Sequence, residues 1–311
     1  MYDVALPWST SLLAAILPPK LVSGFIRPLQ IAEARRREEE RTAAQGSQRI
    51  AEEERRIVAE EQRRSEERVA IEQAQRIAEG RQRLRPVSSG SGFAISELGY
   101  IVTNNHVIEG CNEVKVQSQG SQFNAAVITV DEINDLAVLK VDFNPLNVFT
   151  LAEDSARVLD EIYVAGYPFG EALSSSIKIT GGRVNSLSGI GNNSSEIQFD
   201  AVIQPGNSGG PVFNDQGNVI AVAVSSLNAQ YYLDRFGVIP QNTNFGVKAN
   251  VLRNLLESNN IATTPPKSDE LPSQTLSTLA TNATFYLSCW MTAGRMEEMQ
   301  SRKVMFTEIG R

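Results

Sequence analysis

The stretch QPGNSGGPV, Gln204 to Val212, sets one serine among three glycines. Glycines at 206, 209 and 210 let the backbone take φ/ψ values closed to other residues and let a second chain approach closely. A hydroxyl at its ordinary pKa is a poor nucleophile. Ser208 can attack a carbonyl only with a base beside it, a partner that orients the base, and donors for the oxyanion that forms. The chain has a single histidine, His106 in GYIVTNNHVIEG, so no other imidazole can be that base. The orienting acid is Asp135 in EINDLAVLKVD, which opens an apolar run that reads as a buried strand. Each residue alone also fits a plainer role: a histidine in a turn, an aspartate capping a strand, a serine in a glycine turn.

The elements that must hold these three side chains begin at Val87, where apolar alternation broken by Gly, Asn and Ser predicts many short strands. SGFAI, YIVTNN, VKVQ, AAVITV and LAVLKV make a first barrel. EIYVAGY, IKITGGRVNSL, EIQFDAV, GPVFN and VIAVAVSS make a second, and TNFGVKANVLRNLLESN supplies a closing strand and helix. The expected fold is all-β, two six-stranded antiparallel barrels over residues 87–262. The chain order His106, Asp135, Ser208 is that of the chymotrypsin-like double barrel and not of subtilisin or the α/β-hydrolases. No GxSxG elbow is present.

Five blocks in register, SGSGFAI (Ser89–Ile95), TNNHVI, NDLAVLK, AGYPFG (Ala165–Gly170) and QPGNSGGPV, resemble trypsin-like serine peptidases of the bacterial HtrA/DegP type across roughly residues 88–262. The resemblance implies peptide-bond hydrolysis by His106, Asp135 and Ser208, with the N–H groups of Gly206 and Ser208 as the oxyanion hole. It places the base of the primary pocket at Val202, with Ala201 and Ile203 beside it. That favours cleavage after small or medium aliphatic residues in unfolded proteins, with Asp200 the one nearby acid. Asn207, where pancreatic-type enzymes carry Asp, leaves no carboxylate for a freshly cut amino terminus, so ordering of Gln204–Asn207 is the expected control. No cofactor is implied, and the family's setting is outside the cytoplasm. The turn SELG is short, and Leu227–Asn244, with Tyr231 and Tyr232, is the candidate mobile loop beside the cleft. A reading of another class keeps the fold as a latent peptide-binding module whose oxyanion loop never orders. A third makes the N-terminal helix the functional element.

Residues 31–85 hold 13 Glu and 14 Arg with no Lys, Asp, aromatic or Pro. These favour an exposed helix about 80 Å long at 1.5 Å per residue. Ile50, Ile57 and Ile71 keep a heptad register that Arg64 interrupts, so a single helix and a loose homo-oligomeric coiled coil both stay open. Gly46 and Gly80 are expected breaks, and Pro86 ends the segment. Balanced charge there and net charge −7 overall argue against nucleic acid as a partner. Before the helix, the apolar run Leu12–Leu17 is too short to span a membrane. With only Asp3 charged ahead of it, an interfacial anchor making peripheral membrane contact, a divergent export signal and a plain apolar terminus all remain open. One histidine and two cysteines exclude a His-rich metal site and a disulfide scaffold. Thr263–Gln274 reads as a linker. The 37 residues after it are too few for the PDZ domain usual in that family, and ATFYLSCWM reads as a strand returning to the barrel, followed by a short helix. Cys111 and Cys289 either pair, if the protein is exported, or stay as two buried thiols.

Overall fold

The computed structural model describes residues 19–169, 176–224, 237 and 242–309. The run Leu12–Leu17, and Tyr231 and Tyr232, lie outside the described residues. The chain divides into two compact units, Met1–Ala78 and Glu79–Arg311.

Helix α1 (Pro19–Gln82) is one run of 64 residues. Glu, Arg, Ala and Gln lose little side-chain freedom in a helix. Glu60 with Arg64, and Glu72 with Arg76, close ion pairs of 2.7 Å one turn apart. Such exposed pairs add only about 0.3–0.5 kcal/mol each. Gly46 and Gly80, expected as breaks, do not interrupt the helix. An interior glycine costs about 1 kcal/mol against alanine, too little to stop a helix with good formers on both sides. The isoleucines of the heptad register, Ile50, Ile57 and Ile71, are all at least half exposed. Among the described residues no helix is long and apolar enough to cross a membrane.

The strands follow in order: β1 (Arg85–Ser96), β2 (Tyr100–Thr103), β3 (Glu113–Ser118), β4 (Ser121–Asp131) and β5 (Leu136–Val141). Between β2 and β3 stands the one-turn helix α2 (Asn105–Ile108). Then come β6 (Thr150–Leu151), β7 (Glu161–Gly166), β8 (Lys178–Ser186), β9 (Glu196–Phe199), β10 (Pro211–Phe213), β11 (Asn218–Val224) and β12 (Asn244–Lys248). The chain ends with α3 (Ala249–Ser258), α4 (Ser273–Ala283), β13 (Thr284–Met291) and α5 (Ala293–Ile309). The first barrel closes in the order β1-β13-β3-β4-β5-β2. In the second, β10, β7, β8, β9, β12 and β11 form a ring that closes through β10–β11, and β6 adds to β11 in parallel.

The near-continuous apolar strands are explained by burial on both faces. In β5, Ala137, Leu139 and Val141 fill the first barrel, while Leu136 and Val138 face a second cluster shared with the other barrel. In β11, Ala221 and Ala223 fill the second barrel, while Val222 and Val224 join the same shared cluster. Side chains alternate across a strand, so both sets must be apolar. Phe93 and Phe149 meet edge to face there, and Phe149 and Phe213 meet at a tilt, centroids 5.8 and 5.2 Å apart. The shared cluster thus seals the barrels to each other.

The sixth strand of the first barrel comes from the far end of the sequence. β13 lies between β1 and β3, pairing antiparallel with both: Leu287 opposes Gly90 on one side and Val116 on the other. The strand expected to return to the barrel therefore completes it. Cys289 on this strand is disulfide-bonded to Cys111, with Cα atoms 5.3 Å apart, which resolves the two alternatives in favour of pairing. The segment read as a linker is held to the barrel. Asn218 takes the Lys267 N–H on Oδ1 and gives Nδ2 to its carbonyl, and the Leu271 N–H donates to Asp215 O. Its last two residues, Ser273 and Gln274, open α4, whose Leu276, Leu279, Ala280 and Ala283 are buried at helical spacing.

Leu287 has no exposed surface and sits in the first barrel's core. Leu287→Ala is expected to lower unfolding stability by about 2–5 kcal/mol, read from urea denaturation. A change below about 1 kcal/mol would mean that β13 is dispensable to the barrel.

Candidate active site

α2 carries His106, and its placement is dictated by its neighbours. Val107 and Ile108 are buried in the first barrel, which pins the turn and leaves the imidazole outward, its side chain 45% exposed. Asp135 is prepared by the turn before β5. There Asp131 accepts the N–H groups of Ile133 and Asn134 on Oδ1 and the Asn134 side-chain amide on Oδ2. Asp135 itself sits at φ +53°, in the left-handed region.

From that position Asp135 grips the segment that carries His106 four times. Its Oδ2 lies 2.6 Å from His106 Nδ1, and its Oδ1 accepts the His106 backbone N–H at 2.8 Å. Its carbonyl accepts the Asn104 side-chain amide at 2.8 Å and the Asn105 N–H at 3.2 Å. With Nδ1 turned to a carboxylate as donor, Nε2 is left as the basic nitrogen.

Ser208 is buried in the turn between the barrels, and its carbonyl accepts the Ser91 N–H of β1 at 2.8 Å. The turn is pressed against the base's segment. A Cβ on Gly209, at φ +83°, would collide with Thr103 Oγ1 and Ser91 O and come within 3.0 Å of Asn104 N. A Cβ on Gly90 would meet both Val107 methyls at 2.7 Å and Ser208 O at 3.1 Å. Glycine is required at both positions by close approach. The structure therefore joins His106 and Asp135 directly and sets the Ser208 turn against the residues that flank His106.

Gly206, at φ +103°, leaves no room for a side chain beside the Tyr167 carbonyl and Phe169 N. Among the described residues its N–H finds no acceptor. Asn207 is buried, and its Oδ1 is without a hydrogen-bond partner among the described residues. An aspartate there would be a buried charge with no counterion, which is far more costly. Ala201 lies wholly in the second barrel's core with Ile203 packed beside it, whereas Val202 is 52% exposed and its carbonyl accepts the Thr180 hydroxyl. The Asp200 carboxylate is turned to the β8 backbone, taking the Arg183 N–H at 2.6 Å.

Two residues of the site were not singled out from the sequence. Ser91, wholly buried, donates its hydroxyl to Gly206 O and accepts the Tyr167 N–H, linking β1 to both the Gly206 turn and the chain after β7. Its position between two glycines in SGSG was the available signal. Asn104, also wholly buried, holds the Asp135 carbonyl; the polar pair ending an apolar strand in YIVTNN pointed to it. Glu196, on β9, is partly buried. Burial pushes its carboxyl up, against hydrogen bonds from Asn193 and the Ile190 backbone, and the Asp135 charge adds to the rise.

Residues 90–222 match the family model of the trypsin-like peptidase domain. The uncharacterized protein y4bJ of Sinorhizobium fredii is 41% identical over 162 residues, 52% of this chain and 26% of that protein. A probable periplasmic serine endoprotease, DegP-like, of Hahella chejuensis is 42% identical over 147 residues, 47% of this chain and 30% of that protein. The chain thus spans under a third of the length of these relatives. Among solved structures, the HtrA-type protease AlgW with decapeptide is 30% identical, with 55% of this chain and 51% of that chain covered at a TM-score of 0.47.

Because the folded Glu196 holds its proton above the ordinary carboxylate pKa, its contribution to stability is full below that value and is lost as pH rises through the raised one. Glu196→Gln should flatten this part of the stability curve, measured as urea midpoint against pH. Parallel curves for the two proteins would remove Glu196 as the cause.

Proposed function

We propose that this chain, whose residues 90–222 form a trypsin-like peptidase domain, is a serine endopeptidase working through Ser208, His106 and Asp135. The observation that carries the proposal is the double hold of Asp135 on His106, ring and backbone together, beside the serine's turn. In this mechanism His106 Nε2 takes the Ser208 proton as Oγ attacks a peptide carbonyl. The N–H groups of Gly206 and Ser208 receive the developing oxyanion, a contribution worth about 3 kcal/mol per donor in comparable sites. Nε2 then passes the proton to the leaving amine, and water repeats the sequence to free the acid product. Asp135 keeps the imidazole in the required tautomer and stabilises its cation.

Unfolded proteins are the proposed substrates, cut after Val, Ala or Ile. The half-exposed aliphatic side chain of Val202, with Ile203 beside it, supports this, and the Asp200 carboxylate is turned toward the Arg183 N–H. A preference for Arg or Lys in a peptide library would overturn it. The Cys111–Cys289 bond supports a location outside the reducing cytoplasm. The printed name of the DegP-like relative, periplasmic, agrees with that. The exposed isoleucine register of α1 supports self-association through that helix.

Labelling by a fluorophosphonate probe, mapped by mass spectrometry, tests the nucleophile. Wild type should label at Ser208, and Ser208→Ala and His106→Ala should not. No labelling of folded wild type would favour the latent binding module. Asp135→Asn keeps a residue type that tolerates φ +53°. It is expected to leave the fold intact while lowering kcat by about 10⁴-fold, through loss of the imidazole tautomer. A loss under about tenfold would exclude Asp135 from the role.

A further inference from the structure

α2 is a single turn, and a turn so short has no helical stability of its own. Its orientation is set by what holds its two ends. The N-terminal end is held by Asp135, as described above. The chain leaving the C-terminal end, Gly110–Asn112, is held by the C-terminal part of the protein. Arg295 Nε on α5 donates to Gly110 O at 3.2 Å. Cys111 is bonded to Cys289 on β13. The Asn112 N–H donates to Trp290 O at 2.9 Å, and Asn112 Oδ1 accepts the Thr292 N–H at 3.0 Å. Gly110 itself turns at φ +76°, and a Cβ there would run into Met299 of α5. Four successive attachments thus fall on three residues, the first of them four positions after His106.

We propose that β13 and α5 position His106, with the Cys111–Cys289 disulfide as the pin and Arg295 as a second hold, so that hydrolytic competence depends on the oxidation of that one pair. This rests on the reading of His106 as general base. The pin joins residues 178 positions apart and is the one covalent link between the base's loop and the strand that closes its barrel. When a dithiol reduces it, the S–S bond breaks and each sulfur takes one electron and one proton. The dithiol, which supplies both, closes to its own cyclic disulfide. The Gly110–Asn112 turn then keeps only its hydrogen bonds, and the C-terminal end of α2 is held less firmly than the end that Asp135 grips. A displacement of about 1 Å at a reacting group can cost on the order of 100-fold in rate. Cys289 and Arg295 are positioning residues in this scheme, since neither touches the reacting atoms.

The test compares the full chain in five forms: oxidised, reduced and alkylated, with Cys111→Ser and Cys289→Ser combined, with Arg295→Ala, and with Arg295→Lys. The rate of Ser208 acylation by an activated ester, the split of kcat from KM, and thermal unfolding are read on each. Loss of the disulfide is expected to lower acylation roughly 10- to 100-fold with KM little changed and unfolding still cooperative. Arg295→Ala should lower it in the same sense, and Arg295→Lys, which keeps a donor and a charge, should recover most of the loss. If reduced, cooperatively folded protein acylates at the oxidised rate and only its unfolding midpoint drops, the disulfide is a staple and the proposal is overturned. If the oxidised wild type is not acylated at all, Ser208 is not an active nucleophile, and the endopeptidase reading fails before the proposal is reached. The Arg295 pair keeps the test decisive should the double serine variant fail to fold.

Discussion

The pairing of β13 with β1 and β3 is the constraint on which the rest of the molecule depends. Without it the first barrel would be a five-stranded sheet with two open edges, and open edges invite pairing with other chains. The apolar inner face of that sheet would also lose Phe285 and Leu287 from its core. Everything that places His106 hangs on this barrel: the buried Val107 and Ile108 that pin α2, and the Asp135 turn that leads into β5. A local element of one turn is thereby fixed by a strand some 180 residues further along. The disulfide and the Asn112–Trp290 hydrogen bond sit at the end of β13 nearest that turn, where strand closure and base placement become one problem.

The second dependency runs between the barrels. Ser208 belongs to the second barrel's chain and His106 to the first, so their approach is set by how closely β1 and the serine turn meet. Ser91 is the contact: its N–H holds the Ser208 carbonyl, its hydroxyl holds Gly206, and its own carbonyl takes the Thr103 hydroxyl of β2. A single wholly buried serine thus ties β2, the Gly206 turn and the Ser208 backbone into one network. The glycines around it follow from this crowding, since Gly90 and Gly209 stand where neither barrel leaves room for a methyl group.

Much of this was legible in the sequence because strands with one apolar face, and strands with two, leave different patterns. LAVLKV read as a buried run and VIAVAVSS as a second-barrel strand, and the structure buries β5 and β11 on both faces, against a barrel core and the shared cluster. The histidine was legible because it stands alone, and its acid because it opens a strand. α4 was not legible. Its sequence, SQTLSTLATNA, holds five threonines and serines that favour caps and turns, and its helical state comes from Leu276, Leu279, Ala280 and Ala283 packing on the shared cluster. The unbroken course of α1 through Gly46 and Gly80 was missed for the opposite reason, that a local cost was read without the propensity of its surroundings. The pairing of the cysteines could not be read, because partners 178 residues apart leave no local signal.

The turn Gln204–Asn207 is ordered by a small set of hydrogen bonds, among them the Gly210 N–H on Asn207 O. Gln204–Asn207 is held by the Phe169 N–H on Pro205 O, the Ser91 hydroxyl on Gly206 O, and the Asn207 N–H on Gln204 O. A hydrogen bond of this kind contributes about 1 kcal/mol net. Set against it are the ordering of a glycine, which costs more backbone entropy than any other residue, and the burial of an Asn207 amide oxygen that has no partner among the described residues. The opposing terms are therefore close in size. Asn207, being uncharged, adds no ion pair to the balance. The order of this turn consequently rests on Ser91 and on the chain running from Tyr167 to Phe169, which packs over Gly206. Any contact that steadies that chain steadies the turn as well, because the Tyr167 N–H and the Gly206 carbonyl meet on the same Ser91 hydroxyl.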